Sequence, residues 1–209
     1  MLSTMYALNS NKMTIQKKSR FIKLKAALPF MFCAALAGCG NIAAVRSFST
    51  AYQAPADGER AKIRIVSNGM VRGVPDSSCV DWRKAGAGVM VVSQKGFANQ
   101  NNQNLSMPPN KAGYTLIQGQ NIALSELYIP ASKPFTLSFL STGYFSGTTK
   151  YSCQKTISFV PEAGKNYEAI SMEYGRDCLL QVSEASSSPI EWTAVQGRDA
   201  GFCNPSDNL

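Results

Sequence analysis

The sequence predicts an all-β fold, an antiparallel β-sandwich stabilised by disulfides. Three observations predict it. From residue 61 onward, short apolar or alternating runs recur with turn residues between them. No long amphipathic helical pattern interrupts them, so there are no crossover helices and two packed antiparallel sheets are the natural arrangement. Four cysteines, Cys79, Cys153, Cys178 and Cys203, lie in the same region. An even number in an exported chain reads as two bridges, with three connectivities open. A zinc site of four thiolates would show close C-x2-C pairs, and these cysteines have none. No cofactor is expected.

The elements follow in chain order. Residues 62–66 alternate charged and apolar side chains, a strand whose solvated face carries Arg60, Lys62 and Arg64, and Asn68-Gly69 offers a tight turn after it. Residues 89–92 are continuously apolar and read as a central strand buried on both faces. The runs 123–129 and 135–139 are separated by Pro130 and Pro134; in the second, Phe135, Leu137 and Phe139 share one face and Thr136 and Ser138 the other. Strands over 151–160, 167–172, 178–182 and 190–195 complete the set. The amide-rich stretch 99–104, followed by Met107-Pro108-Pro109, reads as an exposed loop, because its side chains compete for backbone hydrogen bonds and the prolines remove donors. Such a loop on a rigid sandwich could also carry recognition. The sandwich domain is placed at 61–200 and a C-terminal tail at 201–209.

Ahead of the sandwich, Lys17, Lys18, Arg20, Lys23 and Lys25 precede an apolar run over 26–35, the layout of an export signal and far short of a bilayer span. Residues 1–12 add nothing that signal needs, which makes Met13 an alternative start. The run ends in Leu36-Ala37-Gly38-Cys39, which resembles the lipobox of bacterial lipoproteins. The resemblance implies a signal peptide over 1–38, cleavage between Gly38 and Cys39, a diacylglycerol on the Cys39 thiol and an acylated new amine. Anchored by two or three acyl chains, such a protein stays on its membrane. Gly40, in place of the Asp that tends to retain lipoproteins at the inner membrane, implies the outer membrane and a periplasm-facing domain. Residues 39–60 read as a lipidated flexible tether with a reach of about 25 Å. The stretch from Phe159 through Pro161 and Gly164 to Tyr167 resembles a hairpin of bacterial immunoglobulin-like or transthyretin-like lipoprotein domains and implies the same architecture.

Charge and composition exclude several functions. The formal charge is +8, but six of the 21 basic residues precede Cys39 and all 13 acidic ones follow it. The remainder, at about +2, is too weakly and diffusely charged for a nucleic-acid surface. The absence of histidine removes Ser-His-Asp and Cys-His sites and imidazole metal ligation. Ser152-Cys153-Gln154-Lys155 has the S-x-x-K form, yet in a strand its serine and lysine face opposite sides. Gly86-Ala87-Gly88 reads as a turn rather than a dinucleotide loop. Asp81-Trp82 and Glu191-Trp192 could supply a carboxylate pair for sugar hydrolysis, but a core tryptophan beside a surface acid is the commoner arrangement. Tyr114, Tyr128, Tyr144, Phe145, Tyr151, Tyr167 and Tyr174 make the domain rich in aromatics. Tyr144 and Phe145 sit in a glycine-flanked loop, 143–147, where exposed rings would bind a partner and inward ones would plug the sandwich. The expected function is therefore a non-catalytic binding or envelope-assembly module meeting an envelope protein partner. The alternatives are a structural lipoprotein of a secretion or envelope machine, and a carboxylate-dependent hydrolase of envelope polysaccharide.

Overall fold

The computed structural model describes residues 39–109, 121–186, 189 and 191–208, so the leader with Gly38, and also Tyr114, lie outside the described residues. One short helix, α1 (Cys39–Arg46), precedes eleven strands: β1 (Arg60–Ser67), β2 (Met70–Val74), β3 (Gly88–Val92), β4 (Ala123–Pro130), β5 (Phe135–Leu140), β6 (Tyr144–Ser146), β7 (Thr149–Tyr151), β8 (Gln154–Phe159), β9 (Asn166–Tyr174), β10 (Asp177–Ala185) and β11 (Trp192–Ala194). Sheet I has the order β11-β10-β9-β1-β4, sheet II the order β3-β2-β5-β8, and β6 pairs with β7 in a separate ribbon. The expected all-β sandwich is present. Among the described residues no helix is long and apolar enough to cross a membrane.

Strand alternation builds the core. Ala61, Ile63 and Ile65 of β1 and Leu127 and Ile129 of β4 meet Val71 of β2 and Phe135, Leu137 and Phe139 of β5. Aromatic edges tie the layers: Tyr52 to Phe135 at 5.9 Å, Phe135 to Phe159 at 6.4 Å and Phe159 to Tyr167 at 5.3 Å between ring centroids. The central pair of sheet I, β1 with β9, is parallel, whereas the other strand pairs are antiparallel. The stretch expected as a hairpin explains this pair. Between β8 and β9 the chain passes from sheet II to sheet I, so β9 runs alongside β1. Asn68-Gly69 likewise carries the chain between sheets instead of closing a hairpin. A side chain at Gly69 would stand 2.5 Å from the Leu140 carbonyl oxygen. The strand expected over 151–160 breaks at Ser152-Cys153, where Cys153 bonds to Cys178. β2 escaped the pattern reading because Arg72 and Gly73 interrupt its apolar run.

Part of each outer face of the sandwich is covered, and here three expectations are corrected. Arg64 does not lie on a solvated face. In register on three adjacent strands, Glu126, Arg64 and Glu168 form a buried row. Arg64 donates to Glu126 Oε1 at 2.7 and 3.0 Å and to Glu168 Oε2 at 3.3 Å, while Glu126 Oε2 accepts the backbone N–H groups of Leu105 and Met107. Residues 100–109 are therefore a strap rather than a free loop. Asn101 pairs its amide with both backbone groups of Val92 on β3, Asn102 N–H donates to Leu124 of β4, and Trp192 of β11 donates to the Pro109 carbonyl. β3 is consequently an edge strand, not a central one, and it is buried because this strap and residues 50–52 cover its edge.

The segment expected as a flexible tether docks on sheet II. Ala44 and Tyr52 are fully buried, and Thr50 and Tyr52 exchange backbone hydrogen bonds with Val89. The anchor is Arg72 of β2, which is 2% exposed. Its guanidinium lies 4.2 Å from the Phe48 ring and 3.9 Å from the Trp82 ring, and donates to Ser47 Oγ at 2.6 Å. Among the described residues no carboxylate pairs with it, and burial pulls its pKa down to about 9, so it is still cationic at neutral pH. The C-terminal tail docks as well. The Cys79–Cys203 disulfide, with Cα atoms 5.2 Å apart, and the buried Asp207, paired with Arg83 at 2.9 Å, fix residues 201–208 on the same side.

Of the three open connectivities the chain adopts Cys79–Cys203 and Cys153–Cys178. Mass spectrometry of the unreduced protein should find no free thiol among these four. Replacing Cys79 and Cys203 by Ala should lower the urea-unfolding free energy by about 2–5 kcal/mol. A second outcome concerns the buried row. Burial raises the Glu126 pKa, but the Arg64 hydrogen bond and the Leu105 and Met107 N–H donors outweigh it and hold the carboxyl below its ordinary 4.5. A folded-state pKa below the unfolded one stabilises above the unfolded value, and the gain is lost as pH falls through the folded value. Glu126→Gln should cost about 3–5 kcal/mol at pH 7, and the stability gap to the parent should narrow on acidification below about pH 4.5 in urea titrations.

Candidate functional site

Between β5 and β8 the chain does not turn back at once. It runs on past the end of sheet II as the β6–β7 ribbon, so that the loop expected over 143–147 is one arm and the tip of a hairpin. Ser146-Gly147 is the turn signal that the sequence carried there. Gly147 has φ +63° at the tip and Gly143 has φ +78° at the base, where a Cβ would lie 2.6 Å from the Tyr151 carbonyl oxygen. The base is pinned three ways. Gly143 N–H donates to Glu173 Oε2 at 3.2 Å, Ser141 and Cys153 exchange hydrogen bonds at 2.9 and 3.0 Å, and Cys153 is bonded to Cys178 of β10.

Neither aromatic plugs the sandwich. Tyr144 and Tyr151, opposite each other in register, stack at 5.5 Å with an interplanar angle of 19°. Phe145 is 70% exposed, and Tyr174, at the neighbouring β9–β10 turn, is 53% exposed. A shallow cavity of about 220 Å³ between the ribbon and that turn is lined by Tyr144, Tyr151, Ser152, Glu173 and Arg176. Apolar rings, one carboxylate and the cations Lys150 and Arg176 thus share a small, rigid projection, the composition that concentrates binding energy at interfaces. Sequence reasoning found Tyr144 and Phe145 but missed Glu173 and Arg176, which line the cavity beside the Cys153–Cys178 connection.

The remaining candidates are dispersed. Trp82 is buried against Arg72 and donates to the Asp207 carbonyl, and Asp81 pairs with Arg83 at 3.2 Å on the outer side of sheet II. Trp192 lies on β11 at the edge of sheet I, with Glu191 just before it. The two carboxylates therefore lie on connections to different sheets, Asp81 between β2 and β3 and Glu191 before β11. Ser152 stands in the break between β7 and β8, Lys155 lies in β8, and Cys153 between them is in a disulfide. Gly86, at φ +81°, makes a turn, and Gly88 opens β3. Among the described residues no three Cys, Asp or Glu side chains gather as a metal site. No family model, no curated protein and no solved structure matches the chain.

Because Phe145 makes so little contact with the rest of the fold, Phe145→Ser should change the thermal-unfolding free energy by less than about 0.5 kcal/mol. Gly143→Ala, which puts a methyl group against the Tyr151 carbonyl at a positive φ, should cost more than 1 kcal/mol, on the order expected for strain at such a position. Calorimetry of the two variants separates a presented ring from a structural hinge.

Proposed function

We propose that this chain is a lipoprotein of the bacterial outer membrane, anchored through acylated Cys39, whose periplasmic sandwich is a non-catalytic binding or envelope-assembly module. The observation that carries the binding part is the disulfide-pinned ribbon, on which Phe145 is held out in solvent and Tyr144 stacks on Tyr151. Rings kept in water by a rigid scaffold lose little entropy when a partner covers them. The anchoring part is supported by the basic segment, the short apolar run and Leu36-Ala37-Gly38-Cys39.

Purification of the tagged full chain from gently solubilised bacterial membranes should bring down a stoichiometric envelope protein. Phe145→Ser with Tyr151→Ser should weaken that capture at least about tenfold, since truncating an interface aromatic costs around 2 kcal/mol. Retention of the same partner by the double variant would overturn the assignment of the ribbon. Palmitate supplied to growing cells should label the chain, and the label should vanish with Cys39→Ala; a label-free parent would remove the anchor.

A further inference from the structure

The docked N-terminal segment changes what an anchor at Cys39 would do. A free tether of twenty residues would let the sandwich wander about 25 Å from the bilayer. Here α1 begins at Cys39 itself, and Ala44, Ser47 and Tyr52 are already buried on the sandwich. Acyl chains at position 39 would hold the domain at the surface, with one side of α1 facing the lipid.

The outward side of α1 suits that surface. Position 42 is three residues from 45 and four from 46, so the three share one side of the helix. The inward row is Ala44 and Ser47, both buried. Ile42 is 49% exposed, Val45 is 60% exposed and Arg46 is exposed beside them. Next to this row is a groove of about 550 Å³ bordered by Arg46, Thr50, Trp82, Arg83 and Lys84. Arg83 is neutralised by Asp81 and Asp207, at 3.2 and 2.9 Å. Arg46 and Lys84 have no carboxylate within ion-pair distance among the described residues. Two apolar side chains with two uncompensated cations at their border form the pattern of an interfacial helix, apolar into the acyl boundary and basic among phosphates.

We infer that the α1 face formed by Ile42, Val45 and Arg46, with Lys84 beside it, lies on the headgroup region of the bilayer and binds anionic phospholipid. The inference rests on acylation of Cys39 proposed above, because so small a face would bind a membrane only weakly alone. The lipid anchor supplies proximity, and the face supplies orientation.

A photoreactive benzoylphenylalanine placed at position 45, and separately at position 145, tests this in the full chain processed by the cell and reconstituted in phosphatidylcholine vesicles containing about one-third phosphatidylglycerol. Mass analysis of the Cys39 peptide from the same sample reports acylation independently. The expected result is lipid crosslinking from position 45 exceeding that from position 145 at least about fivefold. Arg46→Glu with Lys84→Glu should reduce the position-45 yield about fivefold or more while acylation stays intact, since each cation near an anionic surface contributes a factor of about five. If Cys39 is acylated and the two positions crosslink alike, or neither crosslinks, the orientation is overturned and the anchor stands. If Cys39 carries no lipid and position 45 still crosslinks, the lipid-facing surface stands and the anchor falls. If neither acylation nor crosslinking is found, both are overturned.

Discussion

The Arg64 guanidinium is the constraint on which sheet I and its covering depend. A buried cation must be met by countercharge or ring faces and by hydrogen bonds, and removing its partner costs several kcal/mol. Glu126 and Glu168 meet it from the two flanking strands, which works only in the observed register of β4, β1 and β9. A one-residue slip of any one of these strands would turn its charge toward the apolar core and leave the others without it. Glu126 then uses its second oxygen to take two backbone donors of the strap, and Met107 returns its carbonyl to Arg64. One row of side chains thus sets strand register and draws a polar, proline-bearing segment over the sheet.

Arg72 does for sheet II what Arg64 does for sheet I, by different chemistry. Its charge is met by the faces of Phe48 and Trp82 and by the Ser47 hydroxyl. Phe48 and Ser47 come from the N-terminal segment, so the cation draws that segment onto the sheet. The strap and this segment then meet at β3, where Asn101 satisfies Val92 and residues 50–52 satisfy Val89. Open edges invite pairing with other chains, and here the edge of β3 is occupied from within the same chain. The β6–β7 ribbon, which carries Phe145, the most exposed large apolar side chain among the described residues, projects past this body.

Much of the sandwich was legible because alternation and turn residues are local signals. Ile63 and Ile65, Phe135 to Phe139 and the strands after Tyr167 follow directly from period two. The disulfides were legible as a count but not as a pairing, since pairing depends on which strand ends meet. Charged residues misled in one consistent way. Arg64 reads as solvent-facing, and Arg72 hides its strand, because sequence shows a charge without its partners. Those partners lie 62 and 104 residues along the chain for Arg64, and 25 for Arg72. The amides divide: Asn99 and Asn104 bond neighbouring backbone as expected, whereas Asn101 bonds to β3. At the candidate site, Tyr144 and Phe145 could be found from their flanking glycines, whereas Glu173 and Arg176 join only through tertiary contact.

The two outward-facing features lie toward opposite ends of sheet II. Gly86, on the border of the α1 groove, packs near Pro75, just beyond Val74 at the last residue of β2. The ribbon leaves from Leu140 of β5, which pairs with Met70 at the first residue of β2. An acylated Cys39 with α1 resting on lipid would therefore hold the groove end near the membrane and the aromatic end away from it. A long tether would serve a module that must search for its partner. A docked one suits a module whose partner stands at a fixed height above the bilayer, because the orientation cost is met before the partner arrives.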